Sequence, residues 1–337
     1  MSRFETPKIA HMSIFVELPE RLYQADAFAA FEPVAEFSLG TARAMAWMSQ
    51  LAYERDRDKI ERLCSVWGLH RPRAIANAAG LTSPFIRTRG LVAEGYGATI
   101  FAFAGTDPLV PANWLTDLDF KLTPGGIAMP EVTPGNVHRG FQRGVNAVWE
   151  QIVEAFRGRS EQPVLMTGHS LGAALAAVAA DRALCDERVG VRSSAVYCFG
   201  MPRAGDENFA LRYNDMLGAS TYRLVHGDDI VATVPPSRLG FRHVGKLICC
   251  PRAGKFGPDV PADFCDDPAF VSSLVAGLRQ GLRDFFKMQP QPTFRDDPLG
   301  RMSGLMAPPI ADHLPDRYWQ AFGGGKTTPA GLNDDLP

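Results

Sequence analysis

Between residues 163 and 225 the hydrophobic pattern switches period repeatedly, and this alternation constrains the fold more than any other feature. Apolar, β-prone runs at 163–167, 194–199 and 221–225 are separated by segments with helical spacing at 171–183 and 206–216. Strands that alternate with helices need crossover connections, which make the strands parallel and lay helices on both faces of their sheet. The chain is therefore expected to be α/β, with a mainly parallel central sheet. A further strand is expected at 243–249, and two neighbouring strands at 86–93 and 98–104 flank Glu94-Gly95-Tyr96-Gly97.

Helical spacing of Ala42, Met45, Met48, Leu51, Ala52 and Ile60 predicts a helix over 41–63, and further helices are expected at 140–157, 269–287 and around Tyr318. This places one globular domain at 41–322, after an N-terminal extension at 1–40. A Pro- and Asp-containing connection leads into a helical insertion at about 255–300. The segment 323–337, rich in Gly, Pro and Asp, is expected to be disordered.

The 337 residues are 46% hydrophobic and 21% charged, enough for a sizeable core. The net charge of -2 and pI of about 6.4 show none of the basic bias expected of a nucleic-acid binder. The first residues carry Glu5 and Pro7 where a secretory signal would be apolar, and the alanine-rich run 173–180 is far short of the roughly 20 residues that span a bilayer. A soluble, cytoplasmic protein that touches membrane at most by its surface is the expectation. Six cysteines occur without a CxxC pair, so they offer no metal-ligand spacing, and the thiols are read as reduced.

Gly168-His169-Ser170-Leu171-Gly172 satisfies G-x-S-x-G between an apolar run, Val164-Leu165-Met166, and the alanine-rich helix that follows. Glycines permit the tight strand-to-helix turn that lifts a serine hydroxyl above a sheet edge, which makes Ser170 a candidate nucleophile. Capping the next helix is the blander role for Ser170. The N–H of Leu171, at that helix's start, can meet negative charge on an acyl oxygen. A serine hydroxyl needs a histidine base and an orienting carboxylate. Downstream lie His226, His243 and His313; His226 is too near the acid candidates, and His243 falls inside the expected 243–249 strand, which leaves His313 as the base. Asp228 and Asp229 follow the 221–225 strand, where α/β sheets place functional groups, and either can serve as the acid.

Several separated motifs resemble those of class 3 (fungal-type) lipases, of the α/β-hydrolase superfamily. They are Phe103-Ala104-Gly105-Thr106, Asn113-Trp114-Leu115-Thr116-Asp117-Leu118, Val137-His138-Arg139-Gly140-Phe141, Gly200-Met201-Pro202-Arg203-Ala204-Gly205, Asp229-Ile230-Val231 and Arg242-His243-Val244-Gly245. The resemblance spans about 41–318. It implies Asp229 as the acid, supports His313 through Asp312-His313 and a Tyr318 displaced by an insertion, and makes Thr106 the second oxyanion donor. It also implies a lid at about 107–119, where Trp114, Leu115 and Leu118 would face substrate. Ala104 and Ala232 replace the family's usual arginine and proline. The expected activity is hydrolysis of a lipid or other ester without cofactor, with lipase, esterase and phospholipase as variants and a non-catalytic lipase-like binding protein as the rival. His138, His169 and Arg203 are read as packing or hydrogen-bonding residues. The apolar face of 269–287 (Val271, Leu274, Val275, Leu278, Leu282, Phe285) suits packing on the domain better than contact with a lipid surface.

Overall fold

The computed structural model describes residues 17–77, 88–105, 121–125, 135–157, 162–189, 194–259, 306 and 308–323. Three strands whose every residue is buried form its centre: β6 (Val164–His169), β7 (Ala195–Phe199) and β8 (Thr221–His226). Continuous apolar runs of this kind belong to parallel strands covered on both faces. With β1 (His70–Ala76), β2 (Arg89–Gly95), β3 (Ala98–Phe103) and β9 (Lys246–Cys250) they make one sheet in the order β1-β2-β3-β6-β7-β8-β9. Pairing is antiparallel from β1 to β3 and parallel from β3 to β9. The β2–β3 hairpin turns on Tyr96 and Gly97, both at positive φ (55° and 73°), the combination that matches strand twist in a two-residue loop. A small ribbon pairs β4 (Leu122–Pro124) with β5 (Asn136–His138).

Helices cover both faces. On one lie α1 (Leu39–Leu51) and α2 (Arg57–Val66), with the short α7 (Pro308–Ala311) and α8 (Pro315–Gln320) near the strand ends. Trp47 of α1 stacks on Trp319 of α8 at 4.4 Å between ring centroids. On the other face lie α3 (Arg139–Asn146), α4 (Trp149–Phe156), α5 (Leu171–Cys185) and α6 (Glu207–Met216), which join Phe101, Phe103 and Met166 in a second apolar core.

Four expectations are corrected. The helix over 41–63 is two helices, because the Asp56 carboxylate accepts from Asp58 N (2.9 Å) and Lys59 N (3.2 Å) and starts a new one. The helix over 140–157 likewise divides, at Ala147 and Val148. His243 precedes its strand, since β9 begins at Lys246. The extension does not stand apart from the domain from residue 17 onward: Leu18, Tyr23, Phe28 and Phe31 are buried in the α1 core, and Glu54 accepts from Leu18 N (2.9 Å) and the Tyr23 hydroxyl (2.7 Å). The helix over 269–287, most of the 255–300 insertion and the segment 324–337 lie outside the described residues, as do residues 1–16. Among the described residues no helix is long and apolar enough to cross a membrane.

Candidate active site

Ser170 stands between β6 and α5 with φ 61° and ψ −131°, a region that costs a non-glycine residue about 1–3 kcal/mol. The turn is held from beside: Ser170 N donates to Phe199 O of β7 at 2.9 Å, and Ala173 N donates to Ser170 O at 3.0 Å. A Cβ on Gly172 would lie 2.1 Å from Phe103 O, so the motif's last glycine lets α5 begin directly against the end of β3. The serine side chain makes no capping bond to α5, which sets aside the capping role. Instead Ser170 Oγ meets His313 Nε2 at 2.9 Å. Leu171 opens α5, so its N–H belongs to the first turn, which has no intrahelical acceptor.

His313 lies in the turn between α7 and α8 and is 2% exposed. Its Nδ1 is 2.9 Å from Asp229 Oδ2, immediately beyond β8. An ionised carboxylate only accepts, so Nδ1 carries the ring proton and Nε2 presents a lone pair to the Ser170 hydroxyl. Asp229 is fully buried. Its Oδ1 accepts from Val231 N (2.8 Å), and its Oδ2 also accepts a short bond from the Tyr318 hydroxyl. Burial alone pushes this carboxyl upward, but His313, Tyr318 and the Val231 N–H together outweigh it and hold the group below the usual carboxylate range. Burial, reinforced by Asp229, pushes the Tyr318 phenol well above its ordinary value, so Tyr318 is the donor. The space for this cluster comes from Gly200, at φ +58°: a Cβ there would stand 2.6 Å from Asp229 Oδ2 and 3.0 Å from His313 Nδ1.

The two adjacent aspartates differ in direction. Asp228 Oδ2 faces Arg252 Nη2 at 2.9 Å, and its side chain is 58% exposed, whereas Asp229 points inward to His313. His169, read from sequence as a packing or hydrogen-bonding residue, is both. Its Nε2 lies 2.7 Å from His313 O and its Nδ1 2.8 Å from the Tyr53 hydroxyl. A carbonyl only accepts, so Nε2 carries the proton and Nδ1 accepts from Tyr53. Burial, aided by the facing His313 ring, pushes the His169 imidazole down to about 3. His138 Nδ1 accepts from Gly140 N at 3.2 Å, and His243 Nε2 donates to Ala232 O at 2.7 Å. Arg203 donates to the carbonyls of Thr233 and Pro235, anchoring the segment behind Asp229.

Thus Ser170, Asp229 and His313 are brought together, with Leu171 beside them. Thr106, Trp114, Leu115, Leu118 and the expected lid at 107–119 lie outside the described residues. Sequence reasoning missed Gly200, Tyr53 and the pairing of Asp312 with Arg252. Of these only Gly200 carried a signal, as the first residue of the Gly200-Met201-Pro202-Arg203 motif.

Comparison with known proteins agrees with this architecture. Residues 100–239 match the family model described as class 3 lipase. A lipase of Rhizomucor miehei is 34% identical over 167 residues, 47% of this chain and 44% of the relative. A secreted mono- and diacylglycerol lipase of Malassezia globosa is 30% identical over 156 residues, 44% of this chain and 50% of the relative. The aligned stretches therefore span half or less of either relative. In structure, lipase II from Rhizopus niveus superposes with a TM-score of 0.51 at 22% identity, covering 68% of this chain and 89% of the other, a likeness of fold. The matched residues carry both the Ser170 elbow and the Asp229 turn, so over this stretch the chain is similar to class 3 lipases and its fold is that of the α/β-hydrolases.

Proposed function

We propose that the chain is a serine carboxylic ester hydrolase acting on acylglycerols or related lipid esters. The observation that carries this reading is the continuous relay Ser170 Oγ–His313 Nε2, His313 Nδ1–Asp229 Oδ2, with both links at 2.9 Å. In this mechanism His313 takes the Ser170 proton as Oγ attacks the ester carbonyl, and the resulting imidazolium is stabilised by Asp229. The tetrahedral oxyanion accepts from Leu171 N–H, with Thr106 as the second donor. Collapse expels the alcohol, which takes its proton from His313 and leaves an acyl group on Ser170. The same imidazole then activates water for deacylation. No step needs a metal or cofactor. The lipid part of the reading is supported by the names of the relatives, and the segment with Trp114, Leu115 and Leu118 would contact acyl chains or a lipid interface.

Ser170→Ala tests the reading. Loss of the nucleophile should lower kcat on a soluble ester by about 10⁴–10⁶ with the melting temperature retained, and should abolish fluorophosphonate labelling. Wild-type turnover in the purified variant would refute it. Wild-type protein that takes no label and cleaves no ester would favour a binding protein. A panel of esters of increasing acyl length, run below and above solubility, separates the substrate classes: a rise in rate at the interface marks a lipase, and activity confined to short soluble esters marks an esterase.

A further inference from the structure

Asp229 and His313 sit on different segments, the turn after β8 and the turn between α7 and α8, and their alignment depends on how those turns are joined. The residue before each takes part in the join. Asp312, 2% exposed, accepts from Asp228 N at 2.9 Å. Its carboxylate also receives Arg252 Nε at 2.9 and 3.1 Å and Arg252 Nη2 at 2.7 Å. The same Nη2 reaches Asp228 Oδ2 at 2.9 Å. One guanidinium, placed just beyond β9, therefore spans the carboxylates that immediately precede Asp229 and His313. The fit is close: a Cβ on Gly227 would be 2.3 Å from Asp312 Oδ2, so the carboxylate rests on the backbone of the β8 turn.

His226 Nδ1 also lies 3.6 Å from Asp312 Oδ1. Burial pushes that imidazole below its ordinary value despite the pull of Asp312, so it is neutral near pH 7 and brings no charge to the buried carboxylate. Arg252 does, through a planar fork that a lysine ammonium cannot reproduce. A buried carboxylate stripped of its cation is left uncompensated, and any movement of Asp312 that relieves this carries His313 with it.

We propose that Arg252 is a positioning residue for the hydrolysis proposed above: by bridging Asp228 and Asp312 it sets the register of Asp229 against His313. The inference rests on the hydrolase reading, and its test keeps the two apart. Wild type, Ser170→Ala, Arg252→Met and Arg252→Lys would be compared on one soluble ester for kcat and KM, by rate of fluorophosphonate labelling, and by melting temperature. Arg252→Met should lower kcat and the labelling rate together by about 10–100-fold, because misplacement of the base by about 1 Å costs that much, with KM within about twofold. Arg252→Lys keeps a cation over Asp312 and should fold even if the methionine variant does not. It should recover only part of the rate, remaining about 3–10-fold below wild type, because one ammonium cannot span both carboxylates. Wild-type kcat in folded Arg252→Lys, or a change confined to KM in either variant, overturns the proposal. An active wild type with unaltered variants removes this inference alone, whereas an inactive, unlabelled wild type removes the hydrolase reading and this one with it.

Discussion

Acidification acts on this fold through histidines that are buried in neutral form, and His169 allows the effect to be isolated. Its ring is 1% exposed, and both nitrogens are occupied in a way that requires the neutral imidazole: Nε2 donates to His313 O and Nδ1 accepts from Tyr53. Burial, aided by the His313 ring, takes the group from 6.5 down to about 3. Unfolded, the same ring is solvated and titrates near its ordinary value. Between those two values the unfolded chain binds a proton that the native chain does not, so stability rises with pH across the window. The contribution is complete above about 6.5 and is lost at about 1.4 kcal/mol per pH unit as the pH falls toward 3. At about pH 4.5 the loss from His169 alone is about 3 kcal/mol, a large share of a total of about 5–15 kcal/mol. His138, pushed down to about 4 by burial, acts in the same direction. The measurement is urea unfolding of wild type and His169→Gln from about pH 7 to 4.5, followed by tryptophan fluorescence. Glutamine keeps a donor for the His313 carbonyl but does not titrate, so its stability should fall less steeply with acid, by about 1.4 kcal/mol per pH unit. Parallel slopes for the two proteins would refute the reasoning.

Two further outcomes follow from the geometry. Asp229→Asn should lower kcat by about 10³–10⁴, since the amide no longer fixes the tautomer that gives Ser170 a lone pair, whereas Asp228→Asn loosens one arm of the Arg252 bridge, leaves the Asp312 arm in place and should cost less than about tenfold. Steady-state kinetics on both variants decide this, and equal losses would move the acid to Asp228. Gly200→Ala should lower kcat by about 10² or more, because its Cβ would meet Asp229 Oδ2 at 2.6 Å and the position holds φ +58°. Wild-type kcat in the alanine variant would show that the Asp229–His313 pair tolerates displacement.

The central strands were legible because parallel strands buried on both faces are continuous apolar runs, and 163–167, 194–199 and 221–225 lie within two residues of the observed bounds at each end. The edge strand β1 was not legible: five of its seven residues are exposed, and its Arg and Pro content gives no alternation to read. The breaks after Leu51 and Asn146 were hidden because apolar spacing continues across each gap, and only a cap such as the Asp56 carboxylate marks the new start. Of the site, Ser170 was legible through local turn chemistry, which needs nothing beyond its neighbours in sequence. Asp228 and Asp229 could be told apart by motif register but not by residue chemistry, since adjacent carboxylates at a chain end are equivalent until their directions are known.

What remained invisible consists of contacts between distant segments that share no period: Tyr53 with His169 across 116 residues, Arg252 with Asp312 across 60, and Tyr318 with Asp229 across 89. Tyr318 shows how such a contact is fixed without any sequence period. It follows His313 by five residues, two more than in the D-H-x-x-Y pattern of class 3 lipases that this segment resembles. The extra residues include Pro315, which occupies the first position of α8, where its fixed φ suits a helix start and its missing N–H leaves no donor unpaired. Helix α8 thus begins immediately after the His313 turn, and Trp319, stacked on Trp47, holds it against the core. With the helix anchored at that point, the Tyr318 hydroxyl is carried to Asp229 Oδ2. The donor at the carboxylate is thus fixed by a helix start and a stacking partner, neither of which is near Asp229 in sequence.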